Sequence, residues 1–600
     1  MFQDLPVEVI QQIVGFLPTV SAIVNLSLTN RKIHSVVSAD DYGVFRKFVQ
    51  RCFPTIKSPP YWKDVARTLT SRSRAWDRRA FIAEECCPPP DDGGYPPQTT
   101  TGFSIGYRPV IDSYEAWLAG SWADRKEVLA WGAAGRLRLR TIENGVTTWS
   151  SFRVPDDHRQ ELDILDVRIL RPHQHENSGG EMIVLQRANQ EVISIESSSQ
   201  PDAFTQKSRY TDLPDEFTCM DISQSTEPIL AACGDHRINL YPVNSPDKAV
   251  RPASSTQMEE RQNIRSRMRC VKFLSKSIVA IANQFLEGRG CAPIRIYNIH
   301  PAGVSPTPIA ESMPFTESSQ LWMGRHSSSV IVGLDDVGTS GGRPQQLFLS
   351  GWTDGTARLY DIRTPQRSVS EYVDPVDIGQ IISLLPIGHE RFLAGSSHNG
   401  CLKTFDFRMP GARAYSYLDA RPDHSADRLK SPTPQRDINI FLTPTVNISE
   451  RLWEPLSRHP RRRSQRYRSC VYSLSSPSPS SPTVYAGIGN HVLQLDFIST
   501  DDFRNGYRVS GLDHPRHHIP PSAWDKITRT QVLNFSCYER PREGRESTDP
   551  LLLRKQTDLI DELANHNIVS DGEREDGWDE RWRLNTKDNG YRDPDWRRAR

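Results

Sequence analysis

The sequence predicts a mainly β chain, a seven-bladed β-propeller preceded by a small α-helical domain. Two observations predict it: a strand–turn–strand pattern that recurs along most of the chain, and an amphipathic helical pattern near residue 1. The clearest copy of the first pattern, LFLSGWTDGTARLYDIR, begins at Leu347. Asp354 and Gly355 form its turn, because Asp bonds its own backbone and Gly accepts a positive φ. Beyond the turn, Ala357, Leu359 and Asp361 alternate with Arg358, Tyr360 and Ile362. This period of two is typical of a strand.

Seven copies of this hairpin pattern are present, and successive copies start 45 to 92 residues apart. They begin at Val128, Ile183, Ile229, Ile278, Leu347, Phe392 and Val484. Periods near 45 residues with a hairpin in each repeat are typical of propeller blades. A single unit is too small to bury its own apolar faces, so neighbouring units must stack. Closing the stack into a ring removes most exposed strand edges.

Two of the hairpins carry a further signature. At Tyr360-Asp361 and at Phe405-Asp406 the repeat resembles the WD-repeat family, whose hairpin ends in Trp-Asp. The resemblance covers roughly residues 105–500 and is weaker in the other five hairpins, and the family's upstream Gly-His pair has no clean match. It implies a propeller that binds other proteins.

Composition excludes several classes of function. The 600 residues carry a net charge of +1, so no overall field draws the chain to nucleic acid or to a membrane surface. No apolar run approaches the length of about 18 residues that a membrane span needs, and we expect no secretory signal at MFQDLPVEVI. The 10 cysteines include no CxxC pair. This usage favours a reducing compartment, the cytoplasm or the nucleus.

The first 37 residues predict three short helices. Apolar residues recur at helical spacing after Pro6, a residue that suits a first turn, and Pro18 ends this helix. Ser21 is predicted to cap the second helix, and the third begins at Asn30. Three short helices enclose little interior, so apolar side chains should stay exposed and mark an interface.

This stretch resembles the F-box. The family's opening pattern, Leu-Pro-x-Glu-[Ile/Val], is matched by Leu5, Pro6, Glu8 and Val9, while Asn30 and Ile33 replace the family's more frequent Cys and Trp. The resemblance implies a domain that binds a Skp adaptor and, through it, a cullin scaffold. The implied adaptor contacts are Leu5, Pro6, Val9, Ile10, Ile13, Leu17, Ile23, Leu26 and Leu28. The alternative is a generic helical cap on the propeller.

Composition shifts divide the chain into five parts. They are an F-box at 1–50, a helical linker at 51–85 (with helix expected across 41–83), a Pro/Gly-rich break at 86–104, the propeller at 105–545, and a charged tail without fixed structure at 546–600. Two long insertions are expected in the propeller, at about 244–266 and 409–468. The basic stretch 458–468 fits a nuclear-import signal or an anion site, although a solvated loop is favoured. Residues 523–540 are expected to add a strand or to cover an outer blade surface.

No catalytic motif is present: the sequence has no GxSxG, Walker loop, HExxH or GxGxxG that opens a helix. His173 and His175 lie in a loop without a third ligand, so neither a metal nor a cofactor is expected. The predicted function is therefore binding. The resemblance implies a non-catalytic substrate receptor of a cullin-based ubiquitin ligase, whose target is an unknown protein, often a phosphorylated one. A scaffold without ubiquitin transfer and an enzyme in the central channel remain as alternatives.

Overall fold

The structure is a computed structural model of the 600-residue chain. It describes residues 5–17, 19–54, 56, 61–78, 81–86, 107–117, 124–153, 162–175, 180–198, 203–258, 265–287, 292–312, 328–334, 346–364, 367–374, 379–388, 390–397, 400–411, 439–443, 470–497, 534–538 and 553–555. The basic stretch 458–468 and nearly all of the break at 86–104 lie outside these residues.

Four helices form the N-terminal domain. They are α1 (Val7–Gly15), α2 (Val20–Thr29), α3 (Arg31–Cys52) and α4 (Trp62–Arg78). The predicted N-cap at Ser21 is wrong, because Thr19 caps α2 and its hydroxyl accepts a hydrogen bond from the Ala22 amide at 3.1 Å. The start of α3 at Asn30 is confirmed, since the Asn30 side chain accepts from the Lys32 amide at 2.7 Å.

The helices share one apolar core. Ile10 and Val14 of α1, Ile23 of α2 and Phe45 of α3 are buried in it. Trp117, from the first strand after the break, packs against the same cluster. The helical domain therefore has an interior of its own that extends onto the rest of the molecule.

The remaining described elements are strands. In chain order the first half comprises β1 (Ile82–Glu85), β2 (Ile111–Trp117), β3 (Arg125–Ala133), β4 (Arg136–Glu143), β5 (Val146–Arg153), β6 (Ile164–Ile169), β7 (Met182–Arg187), β8 (Val192–Ser197), β9 (Phe204–Tyr210), β10 (Cys219–Ile222), β11 (Ile229–Cys233), β12 (Arg237–Pro242), β13 (Ala249–Val250), β14 (Ser254–Gln257), β15 (Arg265–Ser275) and β16 (Ile278–Glu287). The second half comprises β17 (Ile294–His300), β18 (Gly303–Val304), β19 (Ala310–Glu311), β20 (Ser328–Gly333), β21 (Leu347–Trp352), β22 (Ala357–Asp361), β23 (Ser370–Tyr372), β24 (Ile381–Ile387), β25 (Arg391–Ser396), β26 (Cys401–Asp406), β27 (Asn439–Thr443), β28 (Val471–Ser475), β29 (Thr483–Ile488), β30 (His491–Asp496), β31 (Asn534–Tyr538) and β32 (Leu553–Lys555).

These strands form seven sheets, the blades of a propeller. Blades 1 to 7 start with β2, β6, β10, β15, β20, β24 and β28 as their innermost strands. Each innermost strand packs beside that of the next blade, and β28 of blade 7 packs beside β2 of blade 1, so the ring is closed. The seven predicted hairpins are the second and third strands of the seven blades. The prediction of a seven-bladed propeller behind a small helical domain is confirmed.

Blade 7 is completed by a strand from the N-terminal side of the propeller. β1 pairs antiparallel with β30, in a register that joins Ile82 to Asp496, and so becomes the outer strand of blade 7. His491 Nδ1 lies 2.6 Å from Glu85 Oε1 across this pair. The helix expected across 41–83 and the helical linker expected to extend to residue 85 are therefore wrong at residues 82–85, which complete a blade.

The segments expected as insertions or tail also supply strands. Within 244–266, β13 extends blade 2 and β14 forms the outer strand of blade 3. Within 409–468, β27 pairs with β26 in blade 6. The strand expected within 523–540 is confirmed, because β31 pairs with β27. β32, inside the expected unstructured tail, pairs with β31.

Polar side chains join neighbouring innermost strands around the channel. Asp112 of blade 1 accepts a hydrogen bond from the Ile169 amide of blade 2 at 2.8 Å, and Asp221 of blade 3 accepts from the Phe273 amide of blade 4 at 2.9 Å. The Ser383 hydroxyl of blade 6 donates to the Val471 carbonyl of blade 7 at 2.7 Å. These bonds satisfy buried backbone groups and fix the order of the blades.

No helix within the described ranges is long and apolar enough to cross a membrane.

Candidate functional site

The helical domain exposes a concentrated apolar surface. Among the described residues nine large apolar side chains are exposed, and five of them lie in the first 28 residues of the chain. These five, called here the apolar ridge, are Val7, Val9, Ile13, Phe16 and Leu28. Phe16 is 70% exposed and Leu28 is 73% exposed. Exposed apolar side chains that lie together are typical of a surface to which a partner binds.

Helical geometry separates this ridge from the core. Val9, Ile13 and Phe16 recur at intervals of four and three residues and so share one side of the helix. Ile10 and Val14 lie on a different side of the helix and are fully buried. Helix α1 therefore has one apolar side that faces the core and another that is exposed.

Arg51 holds the end of α1 in place. Its Nη2 donates to the Leu17 carbonyl at 2.8 Å, and its guanidinium carbon lies 5.6 Å from the centre of the Phe16 ring. The carbonyl bond satisfies a group that the helix leaves without a partner at its end. The cation–π contact limits the orientations of an otherwise exposed ring. Phe16 is thus presented in a defined position.

The structure divides the predicted adaptor contacts into three groups. Pro6, Val9, Ile13 and Leu28 are exposed. Leu5, Leu17 and Leu26 are half-buried against the helical core. Ile10 and Ile23 are fully buried, so the expectation that they contact an adaptor is corrected: their side chains hold the helices together.

Two ridge residues, Val7 and Phe16, were missed from the sequence. Phe16 follows Ile13 by three residues and Val9 by seven, and this spacing could have identified it. Val7 directly follows Pro6 in the first turn of the helix.

The predicted hairpin signature has a structural role. Asp354 accepts from the Thr356 amide at 2.9 Å through Oδ1 and from Arg358 Nη2 at 2.7 Å through Oδ2. Gly355 adopts a φ of 82°, as the turn requires. The Tyr360 ring stacks on Phe348 with centroids 5.3 Å apart. These contacts fix the turn and fill the space between strands, and they are made within one blade.

The two Asp residues that end the signature hairpins bind the arginine two positions later. Asp361 accepts from the Arg363 amide at 2.9 Å, and Asp406 accepts from the Arg408 amide at 2.8 Å. The hydrogen bonds from the Arg363 side chain hold the pKa of Asp361 below its usual value. Phe405, before the second Asp, stacks on Phe392 with centroids 5.1 Å apart. Asp361 and Asp406 make the same hydrogen bond at the end of their hairpins, as expected for two copies of one structural repeat.

In blades 1 to 4, charged side chains form ion pairs between neighbouring blades. Arg171 binds Asp112 with Nη2 at 2.8 Å from Oδ1, and Lys272 Nζ lies 2.9 Å from Asp221 Oδ1. Burial alone would raise the pKa of Asp112, but the adjacent Arg171 guanidinium holds it below its usual value. Acids and bases are thus paired across blades. Within the described ranges, no group of three or more His, Cys, Asp or Glu side chains could hold a metal ion.

The helical domain packs against one face of the propeller at blades 6 and 7. Arg72 of α4 donates through Nη1 to the Pro479 and Ser481 carbonyls, each at 2.8 Å, in the loop between β28 and β29. Burial and the neighbouring Arg391 lower the pKa of Arg72 to about 10, so it stays charged at neutral pH. Trp76 stacks on Phe497 with ring centroids 4.2 Å apart. Helix α4 is therefore packed on blades 6 and 7.

The opposite face of the propeller is formed by other loops. The loops that contact α4 connect first strands to second strands. Because successive strands are antiparallel, the loops between second and third strands emerge at the other face. The turn at Asp354 and Gly355 is one of these. Ligand-binding residues are frequent on loops that a rigid scaffold positions.

The comparison with known families identifies the helical domain. The family model of the F-box domain matches residues 2–44, which include α1, α2 and the first part of α3. No curated protein matches the sequence. F-box domains bind Skp-type adaptors in cullin-based ligase complexes, and the apolar ridge lies within the matched residues. The chain therefore carries an N-terminal F-box domain followed by a seven-bladed β-propeller.

Proposed function

We propose that this protein is the substrate-recognition subunit of an SCF-type ubiquitin ligase. The F-box domain binds a Skp adaptor and, through it, a cullin, while the propeller binds the protein to be ubiquitinated. The subunit supplies no acid, base or nucleophile. It acts by proximity, because holding a target beside a charged conjugating enzyme raises the effective concentration of the reacting groups.

The observation that carries this proposal is the apolar ridge on an F-box domain that is fixed to a propeller. The ridge offers side chains up to 73% exposed in a domain whose own core is filled. Arg72 and Trp76 join the helical domain to blades 6 and 7 through buried contacts. A defined joint of this kind would hold a bound target at a set distance from the adaptor.

The face of the propeller opposite α4 is the proposed target-binding face. The helical domain leaves it uncovered, since α4 contacts loops between first and second strands. A target seated there would point away from the adaptor side of the subunit.

The test is co-purification of the full-length chain with its partners while the proteasome is blocked. The variant Val9→Ala with Ile13→Ala removes two exposed ridge side chains, and Val369→Ala, which is 55% exposed on the propeller, is the matched control. We expect adaptor and cullin with wild type and control, and their loss with the double variant. Retention of the adaptor by the double variant at the wild-type level would contradict the adaptor assignment.

The same experiment separates a receptor from a scaffold. A receptor's partners carry ubiquitin conjugates that decrease in the double variant. A scaffold would bring down the adaptor and other partners without such conjugates.

We place the protein in the cytoplasm, the nucleus or both. Among the described residues, the side chains of Cys52, Cys219, Cys233 and Cys270 form no disulfide, as in a reducing compartment. Fractionation of cells that express the full-length chain tests this placement, and recovery in the secretory pathway would contradict it.

A further inference from the structure

The loop that joins β28 to β29 in blade 7 is unusual in composition. Residues 475–482 read SSPSPSSP and contain three Ser-Pro pairs, which begin at Ser476, Ser478 and Ser481. Ser-Pro is the dipeptide that proline-directed kinases modify. Ser481 is buried, whereas Ser476 and Ser478 are half-buried and Pro479 is exposed.

This loop is clamped between the helical domain and blade 1. Arg72 of α4 binds two of its carbonyls, those of Pro479 and Ser481. On the other side, the Glu115 amide of β2 donates to the Pro477 carbonyl at 3.1 Å. A change in the position of the loop therefore changes the contact between α4 and the propeller.

Ser478 lies at the centre of this clamp. Its hydroxyl donates to the Glu115 carboxylate, and its Oγ accepts from the Ser480 and Ser481 amides at 3.1 and 3.2 Å. The Ser476 hydroxyl, by contrast, donates to carbonyls of Ser478 and Thr483 in and beside its own loop. Of the two accessible serines, Ser478 is thus the one whose side chain joins the loop to another blade.

We infer that Ser478 is a phosphorylation site for a proline-directed kinase and that its phosphorylation loosens the joint between the helical domain and the propeller. The γ-phosphoryl group of ATP passes to Ser478 Oγ, which loses its proton, and ADP leaves. The serine can then no longer donate to Glu115.

The charges around Ser478 explain the expected effect. A phosphate adds about 1.5 to 2 negative charges at neutral pH. The Glu115 side chain is buried, with Arg125 Nη1 3.9 Å from its carboxylate. Burial raises the pKa of Glu115 even though Arg125 and the Ser478 hydrogen bond act in the opposite direction, so a second anion beside this carboxylate is unfavourable. The half-buried position of Ser478 leaves little space for three further oxygens. The loop must therefore move outward and take its carbonyls away from Arg72.

The first part of the test uses the wild-type full-length chain, a proline-directed kinase and ATP. Mass spectrometry should find phosphate on Ser478 in the folded chain. A synthetic peptide of residues 472–486 shows that the kinase accepts the sequence. Modification of the peptide without modification of Ser478 in the folded chain would overturn the inference.

The second part measures hydrogen exchange of the α4 amides. Two hydrogen bonds to a charged group are lost, so we expect exchange at least about tenfold faster after phosphorylation. The variant Ser478→Asp should reproduce part of this increase, while Ser478→Asn and Ser476→Asp should not. Phosphate on Ser478 with unchanged exchange in α4 would refute the link to the joint.

This inference does not depend on the ligase proposal. Ser478 makes no contact with the apolar ridge, so adaptor co-purification should be the same before and after phosphorylation.

Discussion

Phe16 offers the sharpest quantitative test of the apolar ridge. An aromatic side chain presents about 200 Å² of surface. Phe16 is 70% exposed, so about 140 Å² of it is available to a partner. At about 25 cal/mol per Å², covering that area is worth about 3.5 kcal/mol. Alanine keeps part of this contact, and we expect Phe16→Ala to weaken adaptor binding by about 2–3 kcal/mol, roughly 30- to 150-fold in Kd.

Isothermal titration of a Skp-type adaptor into the full-length chain would measure this loss. The matched control is Val369→Ala, because Val369 is also exposed but lies on the propeller. Phe16 contributes little to the fold beyond its cation–π contact with Arg51, so the thermal unfolding of the variant should shift only slightly. A Kd within twofold of wild type, or an equal loss in the control, would refute the role of the ridge.

Four further predictions concern the propeller and its joint. Asp112→Asn should destabilise the chain by about 1.5–3 kcal/mol in urea unfolding, because its partly buried ion pair with Arg171 is broken. A double-mutant cycle with Arg171→Met that shows no coupling would contradict this. The pKa of Asp112 is lower in the folded than in the unfolded chain. Its ionised carboxylate therefore stabilises the fold fully above the unfolded pKa of about 3.9, and this contribution is lost as pH falls through the folded pKa. The difference in free energy of unfolding between wild type and Asp112→Asn should accordingly decrease below about pH 4. Gly355→Ala should lower the free energy of unfolding by about 1–2 kcal/mol, because the turn holds φ of residue 355 at 82°. Gly411→Ala is the control: its φ is 81° and it has open space for a Cβ, so an equal loss there would show that backbone strain alone explains the effect. Arg72→Met should speed hydrogen exchange in α4 at unchanged adaptor affinity, and unaltered exchange would show that its two carbonyl bonds do not hold the joint.

The seven central hairpins could be predicted because each is local in sequence. A turn such as the one at Asp354 and Gly355, with apolar runs on both sides, contains all the information that its two strands need. The period of two in β22 predicted the strand correctly but says nothing about its burial, since four of its five residues are buried. Blades pack on both faces of a strand, so burial there does not follow a period of two.

The outer strands were harder to predict for a different reason. β14 reads SSTQ, which is polar because the strand lies at the edge of its blade. β1 pairs with a strand that begins about 400 residues later, at His491. A pairing over that distance leaves no local pattern in sequence, and residues 82–85 were consequently joined to a helix.

The F-box was found from its opening residues, but the function of each apolar position was not. Val9 and Ile10 are adjacent and both strongly apolar, and apolar residues lie on several sides of this helix. Which side faces inward depends on where α3 packs, and that is a tertiary contact. The burial of Ile10 and the exposure of Phe16 therefore required the structure.

The strand β1 also gives the chain an order of assembly. On the ribosome the four helices emerge before the propeller strands, and they have a core of their own in which to pack. β1 follows immediately, yet its partner β30 is made only after six blades have been synthesised. Until then the strand next to the helical domain has an open edge, which neighbouring chains could pair with. A nascent chain would thus present its F-box domain well before its propeller is complete, and premature termination before β30 would leave β1 without its partner strand.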